Sequence, residues 1–172
     1  MKTTCYVVTT SCTKTCRCGS EGTNAMIGFI LTGHGHFSNG LKSAVDMVAG
    51  NPEAFEIVPF EGSQAATYGD ELRAAITDMR SKTDGVLVFV DLLGGTPFNQ
   101  AMMVSADVDN VEIVTGTNLP MLIELLFTRN SVNSVSELAE SAVTVGQTGV
   151  THQSMASVMA EGADDLDDED GL

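Results

Sequence analysis

A histidine follows the first buried strand that the sequence predicts. Residues 27 to 31 are apolar or glycine, a run too short for an independent helix and long enough for a strand buried on both faces. Gly33 and Gly35 then interrupt the run on either side of His34. In an open α/β sheet, ligands bind at the carboxyl ends of the parallel strands. We therefore predict that His34 is a nucleophile at this edge of the sheet.

An aspartate stands at the end of another predicted strand. Gly85–Val90 is the most strand-like run of the chain, and Asp91 follows it. A carboxylate beside an imidazole accepts the Nδ1 proton, so that the Nε2 lone pair is free to attack phosphorus. It also stabilises the positive charge that develops on the ring. Taken singly, His34 or Asp91 is equally typical of a loop or a turn cap, and their meeting at one crevice favours catalysis.

The turn after Asp91 has the composition of an anion site. Gly94 and Gly95 allow main-chain N–H groups to face one point, and Thr96 suits the N-cap of a helix that begins at Pro97. The positive end of that helix dipole favours an anion, and Thr96 can also donate its hydroxyl. We predict that Gly94, Gly95 and Thr96, with Gly35 beside the histidine, bind a phosphoryl group.

Other candidate residues rank lower. His36 is the alternative nucleophile, and we prefer His34 because glycines flank it and because it is nearer the strand end. His152 lies near the carboxyl terminus, where we expect a surface residue. The cysteines are confined to the first 18 residues, and their spacing, Cys-x6-Cys-x3-Cys-x-Cys, matches no standard zinc motif. We therefore predict no metal site.

Strands and helices alternate along the chain with short connections. Further strands are predicted at Phe55–Phe60 and Val111–Thr115, with a short edge strand at residues 149 to 154. Helices are predicted to end near residue 50, to run from about 63 to 82, and to begin near 97, 119 and 134. This order indicates a small doubly wound α/β domain, mostly parallel, with flavodoxin-like strand order 2-1-3-4 and helices on both faces. His34 and Asp91 would then follow neighbouring strands at the switch point.

Charge and missing motifs exclude several classes of function. The 172 residues carry a formal net charge of −15 with eight Lys plus Arg, which would repel nucleic acid over most of the surface. The sequence has no Walker lysine motif and no dinucleotide fingerprint at a strand end, so we expect no ATP, NAD or other cofactor. No apolar run approaches the roughly 20 residues of a membrane span, and we expect a cytoplasmic protein.

The chain is expected to hold one domain and two tails. Residues 26 to 154 form the predicted domain, and Met26 stands where a natural start would be expected. Residues 1 to 25, with all four cysteines, are interpreted as a disordered leader or a non-native start. Residues 155 to 172 form an acidic tail with seven carboxylates after residue 160, too charged to pack and therefore expected to be disordered.

Three separated segments resemble one known family. They are Ile-Leu-Thr-Gly-His-Gly-His-Phe-Ser-Asn-Gly-Leu (30 to 41), Phe-Val-Asp-Leu-Leu-Gly-Gly-Thr-Pro-Phe-Asn (89 to 99) and Thr-Asn-Leu-Pro-Met-Leu-Ile-Glu (117 to 124). In this order they are similar to the IIA domain of the mannose family of the bacterial sugar phosphotransferase system (PTS). The histidine loop looks closest to members that serve amino sugars such as N-acetylgalactosamine.

The resemblance implies a phosphocarrier for sugar uptake. His34 would accept a phosphoryl group from phospho-HPr and pass it to a IIB component, with Asp91 as the carboxylate of the histidine. The membrane components IIC and IID would take part indirectly. The family also implies a homodimer in which the last edge strand, residues 149 to 154, is exchanged between subunits.

Two alternatives to sugar uptake remain. A related phosphotransfer subunit serves dihydroxyacetone kinase, but its histidine loop usually lacks the Gly-His-Gly form seen here. A non-catalytic regulatory module that binds a small molecule in the same crevice belongs to a different class. Tight binding of a metabolite without covalent phosphate would favour that module.

Overall fold

The computed structural model describes residues 26–157 and 159, in which strands and helices alternate. In chain order these are β1 (Ile27–His34), α1 (Phe37–Ala49), β2 (Phe55–Phe60), α2 (Tyr68–Lys82), β3 (Gly85–Val90), α3 (Thr96–Ser105), β4 (Val111–Thr115), α4 (Leu119–Thr128) and α5 (Val135–Thr148). The predicted disorder of the leader at 1 to 25 and of most of the acidic tail falls outside the described residues.

The strands form a parallel sheet with the order that the sequence predicts. Within the described part of the chain, four strands pair as β2-β1-β3-β4, which confirms the flavodoxin-like α/β fold. The apolar runs of β1 and β3 lie at the centre, and every residue of the two strands except His34 is buried. Since Thr32 pairs with Val90, β1 and β3 end side by side. Residues that follow these two strands therefore meet at the carboxyl edge.

Helices cover both faces of the sheet. Alternate residues of β1 face opposite ways, so Phe29 and Leu31 pack with α1, α4 and α5, whereas Ile30 packs with α2 and α3. The largest buried side chains on the first face include Phe29 and Phe89, whose rings meet edge to face at 4.9 Å between centroids. The two packed layers hold the ends of β1 and β3 in fixed positions.

Two predicted boundaries were wrong. The helix expected from about residue 63 is preceded by a 3-10 turn (Gly62–Gln64), and α2 itself begins at Tyr68, where Asp70 and Glu71 fall in its first turn and complement its dipole. The N-cap of α3 is Gly95 rather than Thr96, because Thr96 already has helical conformation. The cap predicted at Ser134 is confirmed, since its hydroxyl accepts from the Glu137 N–H at 3.2 Å.

The edge strand predicted at residues 149 to 154 is absent from the described part of this single chain. There α5 continues to Thr148, residues 149 to 154 form neither helix nor strand, and residues 155–157 and 159 are helical. In the single chain the segment pairs with neither outer strand of the sheet, β2 or β4. In the same described residues, no helix is long and apolar enough to cross a membrane.

Candidate active site

His34 and Asp91 are in direct contact at the carboxyl edge of the sheet. The Nδ1 atom of His34 lies 2.8 Å from Oδ2 of Asp91, and the His34 main-chain N–H donates to the same oxygen at 2.8 Å. Oδ1 of Asp91 accepts a third hydrogen bond, from the Leu92 N–H at 2.8 Å. One carboxylate therefore holds the strand end, the imidazole ring and the start of the next loop. The structure brings together the two residues that the sequence singled out.

The exposure of the two side chains and the charge of Asp91 determine which nitrogen of His34 carries the proton. The Asp91 side chain is 12% exposed and that of His34 is 43% exposed. Burial alone would raise the pKa of Asp91, but the hydrogen bonds from His34 and Leu92 outweigh burial and hold that pKa below its ordinary value. The carboxylate is thus ionised at neutral pH and can only accept. Nδ1 must therefore carry a proton, and in the neutral ring the lone pair lies on Nε2.

Two neighbours limit the orientation of the imidazole. The ring of Phe60, the last residue of β2, stands nearly perpendicular to it, with 5.4 Å between centroids and 85° between planes. Gly95 lies against the ring so closely that a Cβ there would come within 2.7 Å of Cε1 of His34. Gly95 has an extended backbone that any residue adopts, so the glycine is required for space rather than for conformation. The side chain held between these two neighbours remains 43% exposed.

The predicted phosphate-binding turn lies beside the imidazole. Gly94 has a φ of +81°, a left-handed conformation that favours glycine, and it turns the chain into the start of α3 at Thr96. The side chain of Thr96 is exposed. By helix geometry, the first N–H groups of α3 have no acceptor inside the helix. Main-chain donors at the start of α3, where Pro97 has none, therefore lie next to Gly95, which contacts the His34 ring.

Gly35 contributes in a different way from the prediction. Its φ is +56°, and its N–H donates to the carbonyl of Phe60 at 2.8 Å. That N–H is already committed and holds the histidine loop against the end of β2. Gly35 thus shapes the loop, whereas the turn at Gly94 and Gly95 offers the uncommitted donors.

The remaining histidines stand apart from Asp91. His36 is exposed at the N-cap position of α1, and His152 is exposed in the segment after α5. The three hydrogen bonds to the Asp91 carboxylate come from His34 and Leu92. Among residues 26–157 and 159, no group of three or more His, Cys, Asp or Glu side chains could hold a metal ion. The cysteines of the leader lie outside the described residues.

Sequence reasoning missed the aromatic residue beside the histidine. Phe60 is partly buried, and its other side meets Tyr68 with 4.8 Å between centroids. The signal was available, since in parallel pairing the last residue of β2 falls beside the last residue of β1, and the register indeed pairs His34 with Phe60. Strand-end alignment would have identified it.

Similar sequences fall in one family. A family model described as "EIIA-man: PTS system fructose IIA component" matches residues 28–143. The fructose-specific EIIA component of the PTS of Bacillus subtilis (strain 168) is 35% identical over 105 residues, which cover 60% of this chain and 71% of that protein. The mannose-specific EIIAB component of Escherichia coli (strain K12) is 34% identical over 105 residues, and the match spans 60% of this chain but 32% of that longer protein.

Solved structures of the same kind superpose on this fold. The mannose/sorbose-specific IIA subunit from Enterococcus faecalis matches with a TM-score of 0.67 and 30% identity, covering 74% of this chain and 95% of that one. The EIIA component from Streptococcus agalactiae matches with a TM-score of 0.66 and 29% identity, covering 74% and 97%. Each of these structures thus matches about three quarters of this chain.

Proposed function

The chain belongs to the mannose family of IIA components of the sugar PTS and is thus a phosphocarrier component of such a system, and we propose that His34 carries the phosphoryl group. The observation that carries the proposal is the 2.8 Å contact between Nδ1 of His34 and the Asp91 carboxylate. It leaves Nε2 as the nucleophile on the exposed side of the ring.

The proposed reaction transfers a phosphoryl group between two proteins. Nε2 of His34 attacks the phosphorus of phosphohistidine on HPr, the phosphorus–nitrogen bond of the donor breaks, and a new bond to Nε2 forms. The Nδ1 proton stays between the ring and Asp91, whose negative charge offsets the positive charge that develops on the imidazole. In the second transfer phosphorylated His34 is the donor: a nucleophile of the IIB component attacks the phosphorus, the bond from phosphorus to Nε2 breaks, and Nε2 regains its lone pair.

The proposed phosphate site consists of Gly94, Gly95 and Thr96, with Gly35 shaping the opposite side. A phosphoryl group on Nε2 would lie near the N-terminus of α3, where main-chain N–H groups and the Thr96 hydroxyl can donate to its oxygens. The first turn of α3 contains no acidic residue, and the same holds for α1, which starts just after the histidine loop. These two helix starts therefore add no carboxylate to that of Asp91, and their dipoles favour an anion.

We also propose that the partner proteins dock on an apolar rim around the site. The rim consists of Leu92, Leu93, Met102 and Met103, which are exposed although apolar, Leu93 by 71% of its surface. Leu92 and Leu93 follow Asp91 directly, and the two methionines lie on α3. Flexible methionine side chains adapt to more than one partner, which suits a carrier that must meet a donor and an acceptor in turn.

A homodimer is part of the proposal. A largely apolar groove of about 450 Å³ lies among α1, α4 and α5. Its apolar lining consists of Val48, Leu119, Pro120, Ile123, Val145 and Gly149. Met47 and Phe127 are exposed by 86% and 69%. A second copy would cover this surface, and the exchanged segment at 149 to 154 would pair with a sheet edge of the partner. Sedimentation of the wild type as a monomer at micromolar concentration would contradict the dimer.

The proposed setting is the cytoplasm, where the chain would supply phosphoryl groups for the uptake of a sugar. The membrane components IIC and IID would be indirect partners. The relatives reported above are named for fructose, mannose and sorbose, which favours sugar uptake over service to a dihydroxyacetone kinase. Because these sugars occur at nearly equal identity, the proposal names the system and leaves the sugar open.

Intact mass spectrometry tests the proposed carrier. The wild type, His34→Ala and His36→Ala are each incubated with Enzyme I, HPr and phosphoenolpyruvate. We expect one acid-labile phosphate on the wild type and on His36→Ala, and none on His34→Ala. Loss of phosphate in His36→Ala alone would move the site to His36. Absence of phosphate from all three would contradict the carrier function and favour the non-catalytic binding module.

A further inference from the structure

The imidazole of His34 rests on an aromatic stack that reaches into the core. Its ring meets Phe60 edge to face, and Phe60 meets Tyr68 in the same manner, with 62° between those planes. Tyr68 is buried, and its hydroxyl lies 2.6 Å from the Thr32 hydroxyl, which donates to the Val58 carbonyl at 2.6 Å. The stack therefore joins an exposed, reactive ring to a fixed hydrogen-bonded anchor.

Main-chain contacts fix Phe60 itself. It is the last residue of β2 and stands in register with His34 on β1. Its carbonyl accepts from the Gly35 N–H at 2.8 Å, so the same residue holds the histidine loop through its main chain and the histidine ring through its side chain. Edge-to-face aromatic pairs have a preferred geometry, whereas an aliphatic side chain of similar volume imposes none on its neighbour.

We propose that Phe60 is a positioning residue for phosphoryl transfer, which holds the His34 imidazole so that Nδ1 faces Asp91 and Nε2 faces the incoming phosphorus. This inference rests on His34 being the phosphorylated residue. Asp91 holds the Nδ1 edge of the ring and Gly95 lies against Cε1, but neither restrains the ring with an aromatic contact. Phe60 supplies that contact. In-line transfer is sensitive to displacements of about 1 Å, so loss of this restraint slows the chemical step.

A matched pair of variants tests the proposal. Phe60→Leu removes the aromatic face at the site. Phe55→Leu removes a comparable ring at the other end of β2, where Phe55 meets Phe29 with 6.2 Å between centroids. Both variants lose one partly buried aromatic ring from the same strand. Phe60→Tyr, which keeps the ring, is the conservative variant.

Two measurements separate positioning from general loss of structure. The first is the phosphorylation rate as a function of phospho-HPr concentration, for which we expect kcat of Phe60→Leu to fall about tenfold with KM unchanged. Phe55→Leu and Phe60→Tyr should keep the wild-type kcat. The second is the ¹⁵N spectrum of the unphosphorylated imidazole, in which the signals of His34 are assigned by comparison with His34→Ala. Of the three Phe variants, only Phe60→Leu should shift the tautomer signals of His34.

The outcomes are distinct from those of the carrier test. Wild-type kcat and unchanged His34 signals in Phe60→Leu would overturn the positioning role while His34 remains the carrier. A raised KM with unchanged kcat and signals would also overturn it and make Phe60 a docking residue. If the wild type accepts no phosphate, the carrier function fails, and the ¹⁵N spectra still decide whether Phe60 orients the ring. Should Phe60→Leu not fold, Phe60→Met is measured and interpreted in the same way.

Discussion

The two ends of the sheet are held by different kinds of contact. At the amino end, cationic side chains donate to carbonyls of neighbouring segments: Arg129 donates to Ile27 and Glu53 at 3.3 and 2.7 Å, and Arg80 donates to Asp109 at 2.9 Å. At the carboxyl end, the principal cross-link is the anionic side chain Asp91, which accepts from the histidine and its loop. One end is cross-linked by arginines, and the other is arranged around a reactive ring.

The helix starts also differ in whether a side chain caps them. The N-termini of α4 and α5 are capped by the side chains of Asn118 and Ser134. The helices that start beside His34, α1 and α3, have no capping side chain among the described residues. Capping satisfies main-chain donors and stabilises a helix by about 1 kcal/mol. The donors left open beside His34 therefore reduce stability slightly and are available to phosphate oxygens. Variants at the two ends should accordingly separate rate from stability.

The largest expected effect is on the rate, at the carboxyl end. Asp91→Asn keeps the shape of the side chain but can turn an amide N–H towards Nδ1, which favours the wrong tautomer of His34. We expect phosphorylation to slow about 10²- to 10³-fold. The amide oxygen can still accept from the Leu92 N–H, but the His34 main-chain N–H loses its acceptor because it shares Oδ2 with the ring, so the free energy of unfolding should fall by about 1 kcal/mol. Rapid-quench phosphorylation and urea denaturation measure the two. A wild-type rate would remove Asp91 from the mechanism.

The next effect is on stability, at the amino end. Arg129→Met keeps the stem but leaves the Ile27 and Glu53 carbonyls without their donor, and it removes the guanidinium that lies 5.1 Å from the centre of the Phe29 ring. We expect a loss of about 2 kcal/mol, or roughly 5 to 10 °C in Tm, with an unchanged phosphorylation rate. Lys82→Met is the control, since its exposed pairing with Asp78 should contribute no measurable stability. A slowed Arg129→Met enzyme would show that the two ends are coupled.

The sequence predicted the elements whose signals are local. The apolar runs of β1 and β3, the cap at Ser134 and the residues that follow each strand were enough to give the strand order and the His34–Asp91 pair. Most of this prediction follows from the alternation of strands and helices, because it places the carboxyl ends of all the parallel strands on one edge of the sheet.

Contacts that depend on packing between distant segments could not be predicted in this way. The buried Arg129 reaches carbonyls 76 and 102 residues away in sequence, and no local pattern indicates either contact. The strand expected at 149 to 154 does not form in the single chain, although β2 and β4 are outer strands of its sheet, because the local pattern does not specify which sheet edge the segment pairs with. Local pattern indicates the strand, but the partner decides whether it forms.

A smaller effect on rate is expected from crowding the ring. Gly95→Ala would place a Cβ 2.7 Å from Cε1 of His34 and 3.0 Å from Cδ1 of Leu92, so the imidazole must shift. We expect phosphorylation to slow roughly tenfold. Gly40→Ala is the control, because a Cβ there meets nothing within 4 Å and alanine favours the helix. It should keep the wild-type rate and gain a little stability. Equal rates in the two variants would mean that the ring adjusts without cost.

The smallest effect is a pH dependence of the free energy of unfolding, and it arises from Tyr68, the buried residue that packs against Phe60. Burial raises the pKa of Tyr68 to about 12, the hydrogen bond with Thr32 opposes the rise, and the Asp91 charge adds to it. The folded chain thus keeps the phenol neutral where the unfolded chain, with an ordinary value of 10.0, already ionises it. Its contribution to stability is complete below pH 10 and is lost as the pH rises towards 12.

Tyr68→Phe tests this contribution by removing only the hydroxyl. At neutral pH the variant should be less stable than the wild type by about 1 kcal/mol, the value of one hydrogen bond. At about pH 11 the wild type has lost part of its advantage, so the two free energies of unfolding should converge. Urea denaturation at both pH values gives the comparison. A difference that stays constant with pH would mean that Tyr68 ionises equally in both states, and the anchor beneath Phe60 would then be accessible to solvent.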